Sequence, residues 1–303
     1  MKLSVSISPI FREYGLSELE IFALLRQCGF ASVDYDFCPA NRADWLDCEA
    51  SAWGKRLKGE LSGIGVPPAI SHISGFNPLC DGAPVEQAVR CAGALGVKTA
   101  VIPLGWRENN ARREYEQLNL AYLKRLLPIA AGEGVTLLIE HSGSWLGQHY
   151  THHAIELIRL TEMLGEPENL RINLNIARLG VAEIKPYTEI CLLGDRILNV
   201  DLADNFGGMP LAVHPEREEL GLAPMMGYID YDRVMQGLRE INYTGNFNLR
   251  MNMPRVFPKQ SPYHEDALLR CMPLELTQRL HRWSLHNTEH MLRTYGFAGE
   301  VQK

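Results

Sequence analysis

Short apolar runs that close on a polar or charged residue recur along the chain, and four of them dominate its second half. They cover residues 135–140, 171–175, 196–201 and 245–250, ending in Glu140, Asn175, Asp201 and Arg250. Each has the length and apolar content of a buried strand, and each but the last leads into a helical pattern. Strand side chains alternate between faces. The four terminal residues therefore share a face with residues two back, three of which are Asn173, Asn199 and Asn248. A barrel interior shaped for stability alone would carry Val, Ile or Leu at such positions. Burying an unpaired amide costs about 1–3 kcal/mol, so this polar layer predicts a site.

The same reading extends to the rest of the chain. Further strands are predicted at 2–7, 31–37, 67–72 and 99–104, with His72 ending the third and Trp106 just past the tip of the fourth. Between them lie helical patterns. Ser17 with Glu20 three residues on forms a capping box, and Gly29 stops that helix. Asn41 caps a long helix carrying Leu46, Trp53, Leu57 and Leu61 on one side. Residues 85–95, 112–131 (with Pro128 in the last turn), 151–164, 182–193 and 230–241 follow, and a tail over 265–295 is helical. Eight strands alternating with eight helical segments predict a single-domain α/β (β/α)8 barrel over residues 1–260. A C-terminal helical extension, 261–303, is expected to pack on it. An open doubly wound sheet is disfavoured, because the turn after the first strand, Ser8-Pro9-Ile10-Phe11-Arg12, lacks the glycines of a phosphate-binding loop. Active sites of such barrels lie at the C-terminal strand ends, where the polar residues above fall.

At 303 residues the chain is large enough for one sizeable core. The net charge of −6 argues against nucleic acid or an anionic membrane as main partner. No apolar run approaches the ~20 residues needed to span a bilayer. The first residues already read as a strand rather than a signal peptide. Seven scattered cysteines without a CxxC pair fit reduced thiols. A cytoplasmic location is the expectation.

The chain resembles the xylose isomerase-like barrel superfamily of sugar and sugar-phosphate isomerases and epimerases, which also includes abasic-site endonucleases. The resemblance lies in Leu138-Ile139-Glu140-His141, Val200-Asp201-Leu202-Ala203-Asp204-Asn205, Gly227-Tyr228-Ile229-Asp230-Tyr231 and Tyr243-Thr244-Gly245-Asn246-Phe247-Asn248-Leu249. It implies a TIM barrel with one divalent metal held by Glu, Asp, His and a second Glu, the two glutamates moving a proton beside a carbonyl. Carried over by position, the first Glu is Glu140. The remaining ligand positions hold Asn175, Asp201 and Arg250, and the His three residues past the Asp position is matched by Arg178. Glu140 and Asp201 are residual candidates for a hard cation. A guanidinium cannot ligate, and it opposes each unit of cation charge by about 4 kcal/mol at ~4 Å and an effective dielectric of about 20. No metal is therefore assigned. Manganese, magnesium, cobalt or zinc is expected only if the inherited site is retained.

Candidate catalytic residues are Glu140 and Arg250. Candidate substrate contacts are His72, Trp106, His141, Asn175, Arg178 and Asp201, with Trp145 and Phe206 as loop aromatics on the same face. Two readings of Arg250 stay open: it pairs with Glu140 and fills the hole left by the cation, or it anchors a substrate carboxylate or phosphate. His149 and His153, at i, i+4 spacing, fit a solvated helix start better than zinc, since no acidic third ligand is evident. Two functions compete. One is an isomerase, epimerase or lyase acting on a small sugar, polyol, sugar acid or sugar phosphate. The other is a non-catalytic barrel that binds a sugar-like ligand or scaffolds a partner. Metal-dependent cleavage of abasic DNA is disfavoured by the acidic charge and the scarcity of ligands. A homo-oligomer is compatible with the tail.

Overall fold

The computed structural model describes residues 3–7, 14–107, 111–142, 150–182, 184–205, 221–251, 255–256, 270–271 and 273–297. Trp145, His149 and Phe206, named above, lie outside them.

Eight parallel strands close into a barrel in sequence order: β1 Leu3–Ser6, β2 Val33–Phe37, β3 Pro68–Ile73, β4 Thr99–Ile102, β5 Thr136–Glu140, β6 Leu170–Asn175, β7 Ile197–Leu202 and β8 Asn246–Leu249. β1 pairs with both β2 and β8, which seals the ring. The outward side chains, among them Val33, Tyr35, Phe37, Leu137, Ile139, Leu174, Val200 and Phe247, belong to the main apolar core beneath the helices. Ile70, Val101 and Leu138 form a small separate apolar cluster. The rest of the interior is polar, which is the departure from an ordinary barrel core.

The helices connect these strands: α1 Glu18–Gln27, α2 Arg42–Trp45, α3 Ala50–Ile64, α4 Gly82–Leu95, α5 Arg112–Gly132, α6 Ala154–Met163, α7 Ile176–Val181, α8 Pro186–Leu193, α9 Tyr231–Glu240 and α10 Leu274–Thr294. Ser17 and Glu20 form the expected capping box. The long helix expected after Asn41 is divided. Asn41 Oδ1 accepts from Cys38 N at 3.0 Å and Trp45 Nε1 at 3.0 Å, which fixes a tight turn and the short α2. Glu49 then caps α3, its carboxylate accepting from Ser51 N and Ala52 N. The helix expected over 182–193 likewise starts earlier and breaks. Asn175 caps α7, and Pro186 opens α8 at a position where its missing N–H costs nothing. α3 lies close against α4: a Cβ at Gly54 would stand 2.5 Å from the Ala94 backbone carbon.

α10 packs beside α1. Phe30 meets His281 edge-on at 6.4 Å, Cys28 Sγ donates to Gln278 O at 3.6 Å, and Phe297 meets Phe247 of β8 edge-on at 5.5 Å. The C-terminal helix thus takes a place in the helical ring between β8 and α1. No helix among the described residues is long and apolar enough to cross a membrane.

Candidate active site

The site is assembled from inward-facing positions of six strands. Strand alternation presents Asp34 and Asp36 from β2, His72 from β3, Glu140 from β5, Asn173 from β6, Asn199 and Asp201 from β7, and Asn248 from β8. Arg250, one residue past the end of β8, and Arg178 on α7 reach the same mouth.

Asp201 is the hub. Its Oδ2 accepts from His72 Nε2 at 2.9 Å and Asn173 Nδ2 at 2.8 Å. Its Oδ1 accepts from Asn199 Nδ2 at 3.0 Å and Asn248 Nδ2 at 2.9 Å. The asparagine amides each spend their second N–H on a neighbour: Asn173 on Glu140 Oε2 at 2.9 Å, Asn199 on Asn173 Oδ1 at 2.6 Å, and Asn248 on Asp34 Oδ2 at 3.0 Å. Ser4 on β1 donates to Asn248 Oδ1 at 2.9 Å. The amide layer anticipated from the strand pattern is therefore a connected network.

His72 is held between two acids. Its Nδ1 stands 2.8 Å from Asp34 Oδ2, an ion-pair distance outside hydrogen-bond alignment, and its Nε2 faces Asp201. Burial and Arg250 push the imidazole's pKa down, but Asp34 and Asp201 outweigh them and lift it to about 10, so the ring carries a proton on both nitrogens at neutral pH. Burial works against the charge of Asp201, yet His72, Arg250 and the Asn173 amide hold its carboxyl well below the usual range. Burial likewise opposes the charge of Arg250, while Asp36, Asp34, Asp201 and Glu140 keep it firmly protonated.

Arg250 does not pair with Glu140. Its Nη1 lies 3.5 Å from Asp34 Oδ2 and its Nη2 3.6 Å from Asp36 Oδ2, whereas Glu140 Oε1 accepts from Arg178 Nη1. The exchange follows from topology: closure of the barrel through β1 sets β8 near β2, while Arg178 rises from the helix after β6, next to β5. The signal for Asp34 and Asp36 was present in the alternation Val33-Asp34-Tyr35-Asp36-Phe37, which puts both acids on the face opposite the aromatic ones.

The other predicted contacts are placed differently. His141 is buried, its Nε2 donating to the Asn175 carbonyl at 2.9 Å, and burial pushes its pKa down to about 4 despite the nearby Glu140. The Asn175 side-chain oxygen accepts from Arg178 N at 3.2 Å, so it positions the helix that carries Arg178. Trp106 is tied through its backbone to Asn77, which accepts from Trp106 N and donates to Trp106 O. His153 lies 3.4 Å from Glu189 at the start of α6.

One nitrogen of His72 and one carboxylate oxygen each of Glu140 and Asp201 lie within 4.8 Å of one another, a spacing that a shared ion would match. All three side chains are already engaged by the donors and acids described above.

A closed ring of eight parallel strands wrapped by helices, with charged residues gathered at the C-terminal strand ends, is a TIM barrel. The chain belongs to the xylose isomerase-like TIM barrel family, which residues 22–270 match. Among solved structures, a D-tagatose 3-epimerase-like protein superposes with a TM-score of 0.72 at 18% identity, over 97% of this chain and 98% of that one. D-psicose 3-epimerase, solved in the presence of D-fructose, gives 0.71 at 15% identity over 96% and 99%. 3-Keto-D-glucoside 4-epimerase from E. coli gives 0.67 at 16% identity over 96% and 99%. At these identities the likeness defines the fold. No curated protein matches the chain.

Proposed function

We propose that this chain is a sugar isomerase that moves a proton with one carboxylate and works without a divalent metal. The observation that carries the reading is the exposure of the mouth. Asp34, Asp36 and Asp201 are fully buried, whereas Glu140 keeps 13% of its side chain exposed between Arg178, at 29%, and Arg250, at 19%. Glu140 is thus the one partly accessible carboxylate of the cluster among the described residues.

The chemistry follows from that arrangement. Glu140 takes the proton from the carbon beside a substrate carbonyl, and the electron pair moves onto the carbonyl oxygen to give an enediolate. Arg178 and Arg250 stabilise the developing negative charge. A proton then passes from the adjacent hydroxyl to the former carbonyl oxygen, and return of the carbon proton from Glu140 to the former carbonyl carbon, on the same face, completes the interconversion of aldose and ketose. Inversion at one carbon would need a second acid or base on the opposite face, and the remaining acids of the cluster serve as counter-charges of His72 and Arg250. Isomerisation is therefore favoured over the epimerisation for which several of the similar structures are named.

The donor set does not suit a cation. His72 has no free lone pair when both nitrogens are protonated, Asp201 accepts four hydrogen bonds, and Glu140 is shared by Arg178 and Asn173. Arg250 adds a fixed positive charge in the same mouth.

The test is turnover of neutral aldoses and ketoses by the purified full chain, in chelator and with added Mg, Mn, Co or Zn. Isomerisation that persists in chelator and falls at least about 100-fold in Glu140→Gln supports the proposal. Metal-dependent turnover overturns the metal-free mechanism, and no turnover under any condition overturns the enzyme. Saturable sugar binding without turnover would instead favour a ligand-binding barrel, a reading suited to the extent to which the polar side chains already satisfy one another.

A further inference from the structure

The mouth has an unfinished side. Asp36 is completely buried, yet neither of its carboxylate oxygens accepts a hydrogen bond among the described residues, and its nearest cation, Arg250 Nη2, stands at 3.6 Å. On the same inner surface, Asp34 Oδ1 and the Ser6 hydroxyl are also buried without a partner. Ser6 and Asp34 face each other across the β1–β2 ladder, and Asp36 lies two residues further along β2. A buried carboxylate with open acceptor sites is costly unless donors reach it, and here the open acceptors converge on one edge of the mouth.

Charge limits what those donors can be. Among the described residues the linked cluster sets four carboxylates, Asp34, Asp36, Glu140 and Asp201, against two guanidinium groups, Arg178 and Arg250, with His72 between Asp34 and Asp201. Both guanidinium groups already face carboxylates of the protein. Among the described residues, a carboxylate or phosphate on the substrate would find no unclaimed guanidinium and would face Asp36 directly. Sugar hydroxyls carry no charge, and their O–H groups donate to such acceptors.

Given the isomerase reading above, we infer that the substrate is a neutral sugar or polyol, excluding sugar acids and sugar phosphates, and that Asp36 is a specificity-determining residue accepting its hydroxyls, assisted by Asp34 and Ser6. In the bound state the open oxygens of Asp36 receive O–H donors, and the carboxylate repels anionic analogues.

Calorimetric titration of the full chain with neutral pentoses and hexoses, and with their aldonic acids and monophosphates, tests the inference. Neutral sugars are expected to bind at least about tenfold more tightly than anionic ones of the same length. Asp36→Asn should weaken neutral binding by about tenfold and narrow the gap to the anions. Ser6→Ala, a small change inside a strand, should weaken neutral binding a few-fold and supplies a second reading if Asp36→Asn does not fold. Anionic sugars binding as well as neutral ones, or folded Asp36→Asn binding neutral sugars like the parent, would overturn this inference and leave the isomerase proposal standing. Silence across the whole panel would overturn both.

Discussion

Replacing Asp201 by Asn tests the polar interior most directly, because the change preserves volume and removes only charge and one acceptor. Asp201 offers two oxygens to four donors, with His72 and Asn173 on one and Asn199 and Asn248 on the other. An asparagine in either flip presents one oxygen and one NH2 group, so two buried donors meet another donor. Each buried donor left unmatched costs about 1–3 kcal/mol. The protonated His72 also loses one of its two counter-charges, and breaking a buried pair by removing one partner costs about 3–5 kcal/mol. The two estimates describe overlapping losses, so about 3–5 kcal/mol is expected, a fall in Tm on the order of 10 °C. Urea denaturation gives the stability change, and NMR titration of His72 should show its pKa dropping from about 10. A surface control, Glu60→Gln in the exposed Arg56–Glu60 pair, should change stability by less than about 1 kcal/mol. A loss below about 1 kcal/mol for Asp201→Asn, with an unmoved His72 titration, would refute the picture of Asp201 as hub.

Stability should fall on both sides of a maximum near pH 6.5. The raised pKa of His72 gives stability that is full below its unfolded value of about 6.5 and fades as pH climbs towards 10. The lowered pKa of His141 makes the folded state lose stability as pH drops from about 6.5 to about 4, by up to about 3 kcal/mol. The depressed pKa of Asp201 adds a further loss below about pH 4. Denaturation midpoints across pH 4–10 check the profile, and His141→Gln should flatten the limb between 6.5 and 4. Gly54→Ala should destabilise by about 1–3 kcal/mol, because the new methyl group would meet the Ala94 backbone; thermal melts decide it. In a folded Glu140→Gln variant, kcat should drop while KM moves little, since binding and proton transfer are separable at that position.

The barrel was legible in the sequence because each strand announces itself by apolar content and length, and Ser17 and Gly29 bracket the first helix, whereas the break before Pro186 was not read from the pattern. The polar layer was legible from period-2 spacing in the strands of the second half, and Asn173, Asn199 and Asn248 do converge, each donating to Asp201. What local pattern could not supply was partnership. Arg250 pairs with β2 and not with Glu140 because the first and eighth strands are neighbours in the closed ring, a relation that no local pattern records. The same gap hid Asp34 and Asp36: an acid at every second position of one strand is visible, but its worth depends on which residues the other strands deliver opposite it. Asn175 and His141 illustrate the converse. Both sit beside the expected site, yet a helix cap and a main-chain carbonyl occupy atoms that sequence reasoning had left free for a substrate.

The amide of Asn248 reaches Asp34 of β2 and Asp201 of β7 at once, stitching together strands drawn from opposite ends of the chain. During folding, none of these charged groups finds its partners until distant segments meet, and a partly assembled barrel must keep them hydrated. Closure of the ring and drying of its interior should therefore be a single late event, with neither half of the barrel stable by itself.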